Sequence, residues 1–135
     1  MQQEIKDYTE NALLPFWIKR TIDPQHGGFI THFDEFGNDA GDDEKSLIAQ
    51  TRSIFTYSQA YRHGFGGPIM LDMAKQGVKF LLEKMWDTTH GGFYWMVDRA
   101  GNPINKQKIG YGHSFVIYCL SEYSLASGDP IGLSY

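Results

Sequence analysis

Apolar residues recur at helical spacing in four stretches of the chain, and short glycine-rich segments separate these stretches. The pattern predicts helices over residues 2–20, 45–63, 69–86 and 108–126. The third stretch has one broad apolar stripe opposite a charged one, whereas the second and fourth are apolar around most of their girth. A helix that is apolar all round is buried on both sides. The pattern therefore predicts two layers, with the even helices inside and the odd helices outside.

A motif of 16 residues occurs twice, once after each odd helix. It reads Asp-x-x-His-Gly-Gly-Phe, four further residues, and Asp-x-x-Gly-Asn, and its copies begin at Asp23 and Asp87, 64 residues apart. Gly-Gly permits positive φ, and the aromatic and β-branched residues at 29–33 and 93–97 favour strands. The sequence thus predicts an all-α fold of two helix pairs, each joined by a short β-hairpin.

The histidines and aspartates of the two copies raise the alternative of a metal site. His26, Asp34, His90 and Asp98 lie in separate loops and lack the close i, i+4 pairing that metal ligands usually show. A purely structural loop is the favoured interpretation, and no metal site is predicted.

Composition narrows the classes of function. The 135 residues are 41% hydrophobic, carry a net charge of −4 and contain no run of Lys or Arg, so nucleic-acid binding is not expected. The sequence has no signal-peptide pattern and no apolar run of membrane-spanning length. With Cys119 as its single cysteine, the chain forms no internal disulfide, and a cytoplasmic location is predicted.

Three polar or aromatic residues of the inner helices are candidates for chemistry. Arg52 lies in a helix that otherwise favours burial, so it either pairs with a structural carboxylate or lines a polar cavity. Tyr111 and His113 begin the fourth helix, where a core tyrosine and a capping histidine are the plain alternatives. An alignment of the second and fourth helices at an offset of 61 places Arg52 on His113.

Other conspicuous residues have simpler interpretations. Packing between the layers is favoured over sugar stacking for the three tryptophans. Glu122 and Cys119 are predicted to be structural, and an acidic residue before the second helix is expected to cap it. The tryptophans are Trp17, Trp86 and Trp95, and the candidate caps are Asp42 and Asp43.

Taken in order, these motifs resemble the N-acylglucosamine 2-epimerase superfamily, which includes cellobiose 2-epimerases and aldose–ketose isomerases of mannose type. The most specific part is Gln-Thr-Arg in the second helix followed by Tyr-Gly-His-Ser-Phe in the fourth. The matching positions lie between about residue 10 and residue 130: 14–17, 27–31, 34, 37, 45, 50–52, 85–87, 91–94, 97–99, 108, 111–115 and 120–123.

The resemblance implies an (α/α)6 barrel. At 64 residues per unit, six units need roughly 380 residues. The chain supplies two helix pairs, with repeat units at about 2–63 and 69–126. Residues 1–135 are therefore expected to be an N-terminal fragment of the barrel domain.

The resemblance also implies an activity on the reducing end of a mono- or disaccharide. A proton leaves the carbon beside the open-chain carbonyl, and the enediolate that forms is protonated again. By resemblance Arg52 is the catalytic donor that steadies the enediolate, and Tyr111 and His113 are substrate-binding residues. The family's acid–base histidines lie on later helices, so the isolated chain is expected to be inactive. No cofactor is implied.

Two further functions remain open on the sequence alone. A glycosidase with the same helical architecture needs a carboxylate pair on its inner helices, and only Glu44 and Glu122 are available there. A non-catalytic association module would instead cover its exposed inner helices with a partner, so self-association is predicted.

Overall fold

Four helices form most of the protein, and the computed structural model describes residues 1–41 and 44–135. We label as α1 the three consecutive segments Gln2–Tyr8, Thr9–Leu13 and Leu14–Arg20, of which the middle one is π-helical. Helix α2 is Leu47–Arg62, α3 is Pro68–Phe80 followed by a π-helical turn at Leu81–Met85, and α4 is Gly110–Ser127. A 3₁₀ helix, Pro130–Ser134, follows α4.

Helix α1 continues past Pro15, the residue at which a kink or an early end was expected. Proline has no N–H, and its ring clashes with the carbonyl four residues earlier. The π-helical turn Thr9–Leu13 widens the helix immediately before Pro15, which then occupies the first turn of Leu14–Arg20. The predicted extent of 2–20 is therefore confirmed.

Helix α2 begins two residues later than predicted. Lys45 and Ser46 belong to a strand, and the Ser46 hydroxyl accepts a hydrogen bond from the Ala49 N–H at 3.2 Å. Ser46 is thus the N-cap. The predicted caps Asp42 and Asp43 lie outside the described residues.

Three short strands form one sheet that joins the two repeats. Strand β1 is Glu44–Ser46, β2 is Met96–Asp98 and β3 is Pro103–Asn105, and β2 pairs with both neighbours in antiparallel order. Strands β2 and β3 are the hairpin predicted in the second copy of the motif. Strand β1 precedes the inner helix of the first repeat, so its pairing with β2 is a connection that the repeat pattern did not predict.

In the first copy of the motif, residues 29–33 were expected to form a strand, but only isolated bridges occur there. These bridges pair Ile22 with Phe29 and Phe33 with Asp39. The side chain of Gln50 bonds both backbone polar groups of Phe29, at 2.8 Å each, and so replaces a neighbouring strand at that residue. The prediction of a strand over 29–33 is therefore wrong.

The predicted two-layer arrangement is confirmed, with α2 and α4 side by side and α3 packed mainly against α2. Helices α2 and α4 run parallel, because Leu47 meets Gly112 near their first turns while Arg62 Nη1 donates to Glu122 Oε1 at 2.5 Å near their last. A Cβ atom on Gly77 of α3 would lie 2.4 Å from the Phe29 ring, so this glycine permits the close approach of the layers.

The inner helices are not buried on both sides in the part of the chain that the structure describes. Ile117, Leu125 and Tyr118 of α4 are 69%, 67% and 52% exposed, respectively. One face of α4 therefore carries apolar residues in contact with solvent, which is the exposed inner-helix surface expected when two helix pairs stand without the rest of a barrel. Cys119 is fully buried, which raises the pKa of its thiol to about 12, and Glu122 is buried with Arg62, so both are structural as predicted.

Candidate functional site

The two copies of the motif fold into the same turn. In the first, the N–H of Asp23 donates to the Gly28 carbonyl at 3.1 Å, and in the second, the N–H of Asp87 donates to the Gly92 carbonyl at 2.8 Å. One carboxylate oxygen of each aspartate also accepts from the two backbone N–H groups two and three residues ahead. The aspartates thus close the loops as turn-forming residues.

A lysine enters each loop from the start of the following inner helix. Lys45 Nζ donates to Asp23 Oδ2 at 2.9 Å and to the Gly27 carbonyl at 2.7 Å. Lys108, which lies 63 residues later, donates to Asp87 Oδ2 at 2.5 Å. The Lys45–Asp23 pair is almost completely buried, whereas the Lys108 side chain is 29% exposed.

Asp23 also receives an arginine from the second repeat. Arg99 Nε donates to Asp23 Oδ2 at 2.9 Å, and the Arg99 carbonyl accepts from Lys45 Nζ at 2.9 Å. Burial alone would raise the pKa of Asp23, but the hydrogen bonds from Lys45 and Arg99 outweigh it and hold that pKa well below its usual range. For Asp87 the hydrogen bond from Lys108 lowers the pKa in the same direction.

Acid is expected to destabilise the protein, because Asp23, Asp34, Asp87 and Asp98 have pKa values below the ordinary 3.8. The unfolded chain binds more protons than the folded chain as the pH approaches and falls below 3.8, so this stabilisation is complete above about pH 5 and is lost as the pH falls. We expect the urea unfolding midpoint to drop between about pH 5 and about pH 2, and to drop less in an Asp34→Asn/Asp98→Asn double variant. A midpoint that stays constant over this range would contradict the expectation.

Gln50 and His113 are equivalent residues of the two repeats. The Phe29 N–H donates to Gln50 Oε1 at 2.8 Å, and the Phe93 N–H donates to His113 Nε2 at 2.9 Å. The inner helices therefore align at an offset of 63, and the predicted offset of 61, which placed Arg52 on His113, is wrong. The sequence misled here because serine recurs at both spacings, and a tyrosine pair, Tyr57 and Tyr118, matches only at 61.

His113 has both ring nitrogens in intramolecular contacts. Nε2 accepts from Phe93, and Nδ1 lies 3.0 Å from the Ile109 carbonyl, so the proton is on Nδ1. A Cβ atom on Gly92 would lie 2.9 Å from Nε2, which explains why a glycine is needed there. These contacts turn His113 toward the second loop.

Arg52 and Tyr111 lie on the exposed face of the inner helices and are linked by Phe115. The Arg52 guanidinium carbon is 5.0 Å from the centre of the Phe115 ring, and that ring meets Tyr111 edge-on with centroids 5.0 Å apart. Among the described residues no carboxylate pairs with Arg52, so the structural-carboxylate alternative finds no partner there. Tyr111 is 58% exposed.

Phe115 is the residue of this group that was not singled out from the sequence. Its signal is its position four residues after Tyr111, together with the offset of 63 that makes it the equivalent of Arg52. One turn further along, Phe55 and Tyr118 stack with ring centroids 3.9 Å apart. We call Arg52, Phe55, Tyr111, Phe115 and Tyr118 the inner wall.

The tryptophans lie away from the inner wall. Trp17 packs edge-on against Phe33, Trp86 packs edge-on against Phe93, and Trp95 lies beside Gly112. The tryptophans thus pack within the fold, but Trp17 and Trp86 pack on phenylalanines of the loops and not between the helical layers, as was expected. Across residues 1–41 and 44–135, no three His, Cys, Asp or Glu side chains are grouped so that they could bind a metal ion. No helix in these ranges combines the length and apolar character needed to span a membrane.

The fold and the inner wall together define a class of protein. It is the α/α toroid that has an arginine and aromatic rings on the exposed face of its inner helices. A profile of the N-acylglucosamine 2-epimerase (GlcNAc 2-epimerase) family matches residues 28–133. The chain belongs to this family, as its motifs predicted.

Individual relatives agree with this assignment. The chain is 33% identical to the cellobiose 2-epimerase of Bacteroides fragilis over 141 aligned residues, which cover all of this chain and 34% of that enzyme. Human N-acylglucosamine 2-epimerase is 29% identical over 88% of the chain and 28% of its own length. The solved cellobiose 2-epimerase of Spirochaeta thermophila superposes with a TM-score of 0.90 over 98% of this chain and 32% of its own. The chain thus spans about a third of the length of these relatives.

Proposed function

We propose that the chain supplies the first two of six helix pairs in the barrel of a cytoplasmic sugar 2-epimerase or isomerase, with repeat units at about 2–63 and 69–126. Its substrate is a mono- or disaccharide with a free reducing end, and the chemistry requires no cofactor. The observation that carries the proposal is the inner wall, in which a guanidinium and aromatic rings share the exposed face of the inner helices. Aromatic faces and a fixed cation are suited to a sugar ring and to an oxygen that becomes negative.

Arg52 is the proposed catalytic donor. When a proton leaves the carbon beside the sugar carbonyl, negative charge develops on the carbonyl oxygen, and a preorganised cation lowers the energy of that state. The Phe115 ring holds the guanidinium from one side, and no described carboxylate competes for it. The Tyr111 hydroxyl, at the exposed end of the same row, is the proposed substrate contact.

His113 was expected to bind substrate, but its contacts support a positioning role instead. Its two nitrogens hold the second loop and the first turn of α4, so we assign it the positioning of the Tyr111 turn. The remaining histidines, His26, His32, His63 and His90, follow the loops and helix ends. None is therefore proposed as the acid or base, and the isolated chain is proposed to be inactive.

The glycosidase alternative receives no support from the inner helices. Glu44 lies in β1 before α2 begins, whereas Glu122 lies twelve residues into α4, which is roughly 18 Å along a parallel helix. Glycosidases need their two carboxyl groups about 5–10 Å apart. Glu122 is moreover occupied by Arg62 at 2.5 Å.

The proposal is tested with the 135-residue chain, its Arg52→Ala variant, and cellobiose, N-acetylglucosamine and D-mannose as ligands. Proton NMR in D₂O is expected to show no loss of the sugar C2 proton above the buffer blank, because enediolate formation needs an acid–base group that the wall lacks. Nitrogen–proton correlation spectra are expected to show weak binding at Tyr111 and Phe115. Removal of Arg52 should weaken that binding at least about tenfold, as for a lost charged hydrogen bond.

Arg20→Ala is the matched control, because Arg20 is also stacked on a phenylalanine, Phe16, but lies on α1 away from the wall. Its sugar affinity should equal that of the unsubstituted chain. Exchange of the C2 proton by the chain would overturn the proposed inactivity. Equal affinity in Arg52→Ala would overturn the role of Arg52.

A further inference from the structure

The loops of the two repeats are held by acceptor atoms that lie in equivalent places but differ in chemistry. The Phe29 N–H donates to Gln50 Oε1 at 2.8 Å, and the Phe93 N–H donates to His113 Nε2 at 2.9 Å. A Cβ atom on the glycine before either phenylalanine would lie 2.9 Å from the acceptor, so both acceptors occupy the same narrow space. An amide oxygen does not titrate near neutral pH, whereas an imidazole nitrogen accepts a hydrogen bond only until it is protonated.

The hydrogen bonds of His113 determine where a second proton would go. Nδ1 donates to the Ile109 carbonyl at 3.0 Å, so the lone pair of the neutral ring is on Nε2 and faces the Phe93 N–H. A proton on Nε2 would place two donors against each other, so this hydrogen bond breaks when the ring becomes an imidazolium. The side chain is partly exposed, and a histidine in contact with water takes up its second proton below about pH 6.5.

The charged groups around the ring offer no substitute for the lost bond. The titratable groups that face it from the elements packed around it are Asp87, His90, Lys108 and Tyr135. The Asp87 carboxylate already accepts from Lys108 and from two backbone N–H groups of its own loop. In the part of the chain that the structure describes, no carboxylate forms an ion pair with His113. An imidazolium at this position therefore gains no new partner inside the fold.

We propose that His113 is a pH-sensitive positioning residue, whose protonation releases the Phe93 amide and loosens the second loop from the first turn of α4. The closed loop binds the neutral ring, so the contact is complete above the pH at which a free histidine titrates and is lost as the pH falls. Given the proposed sugar contact at Tyr111 in that turn, on which this step rests, sugar affinity falls together with the loop contact. The loop of the first repeat stays closed, because Gln50 holds it.

Hydrogen exchange of the purified chain, read as a protection factor for each amide, tests the release. We expect the protection factor of the Phe93 amide to fall about tenfold between about pH 7.5 and about pH 5.5, because the neutral fraction of a free histidine falls by that factor. The Phe29 amide should keep its protection. In His113→Gln, which gives the second loop the acceptor of the first, the Phe93 amide should keep its protection as well.

His90→Gln is the matched control, because His90 lies in the same loop and its side chain is 78% exposed. It should leave the pH dependence of the Phe93 amide unchanged. A Phe93 protection factor that is equal at both pH values, or that falls as far in His113→Gln, would overturn the proposal. An equal loss of protection at Phe29 would also contradict it, since the pH would then act on both loops alike.

Binding of cellobiose at the same two pH values tests the step to Tyr111. The dissociation constant should rise about twofold or more in acid, because the binding-competent fraction falls, and should stay constant in His113→Gln. A constant affinity while the Phe93 amide is released would refute the positioning of Tyr111 and leave the proposed sugar site intact. Absence of cellobiose binding at both pH values would refute the proposed function instead, and the exchange of the Phe93 amide would still decide whether His113 responds to pH.

Discussion

Replacement of Lys45 by methionine is expected to lower the free energy of unfolding by about 3–5 kcal/mol, the range typical when one partner of a buried ion pair is removed. The substitution takes away the ammonium that bonds Asp23 and the carbonyls of Gly27 and Arg99. Asp23 is 1% exposed, so water cannot solvate its carboxylate after the ammonium is removed. Arg99 still reaches the carboxylate, but from only one side.

Lys108→Met is the matched control for this prediction, because Lys108 holds the second loop in the same way. Its side chain is 29% exposed, and water can reach the site when the ammonium is removed. We therefore expect Lys108→Met to lower the free energy of unfolding by less than Lys45→Met does. Urea unfolding followed by tryptophan fluorescence measures both variants. Equal losses, or a larger loss for Lys108→Met, would show that burial does not set the strength of these pairs.

Replacement of Gln50 by leucine is the second large expected effect. The Gln50 amide is fully buried and satisfies both the N–H and the carbonyl of Phe29, and leucine of similar size can satisfy neither. Each buried polar group left without a partner costs about 1–3 kcal/mol. We expect a loss of about 2–6 kcal/mol in the free energy of unfolding, read from denaturant melts.

His113→Leu provides the comparison, since His113 bonds the N–H of Phe93 but not its carbonyl, and its side chain is partly exposed. The decrease in the free energy of unfolding for His113→Leu should be at most about half of the decrease for Gln50→Leu. Hydrogen exchange gives a second readout, because the amide of Phe29 should lose protection in Gln50→Leu while the amide of Phe93 keeps it. A Gln50→Leu variant as stable as the unsubstituted chain would contradict the bonding described for Phe29.

Local patterns predicted the four helices and the second hairpin because their causes are local. Periodic apolar residues determine the helices, and Gly-Gly between an aspartate and a phenylalanine determines the turn. The same local patterns did not predict the contacts between the repeats. The pairing of β1 with β2, and the bond from Arg99 to Asp23, 76 residues apart, depend on how the helices stack.

The candidate site was predictable only in part, for a related reason. Arg52 and Tyr111 were found as unusual residues in apolar helices, and the structure places them in one row. His113 was aligned with Arg52 in place of Phe115 because the register of 61 has both a serine match and a tyrosine match, whereas the observed register of 63 has only a serine match. A single hydrogen bond, from Phe93 to His113, decides between the registers.

The pairing of β1 with β2 has a consequence for anyone who recombines such repeats. The sequence period suggests a cut in the glycine-rich segment between α2 and α3, yet such a cut separates Lys45 and Asp23 from the Arg99 that completes their network. Asp23 and Arg99 lie 76 residues apart, which is more than the 64-residue period, so no single repeat contains the whole network wherever it is cut. A chimaera of single repeats therefore keeps this network only when the two neighbouring units supply a matched aspartate and arginine.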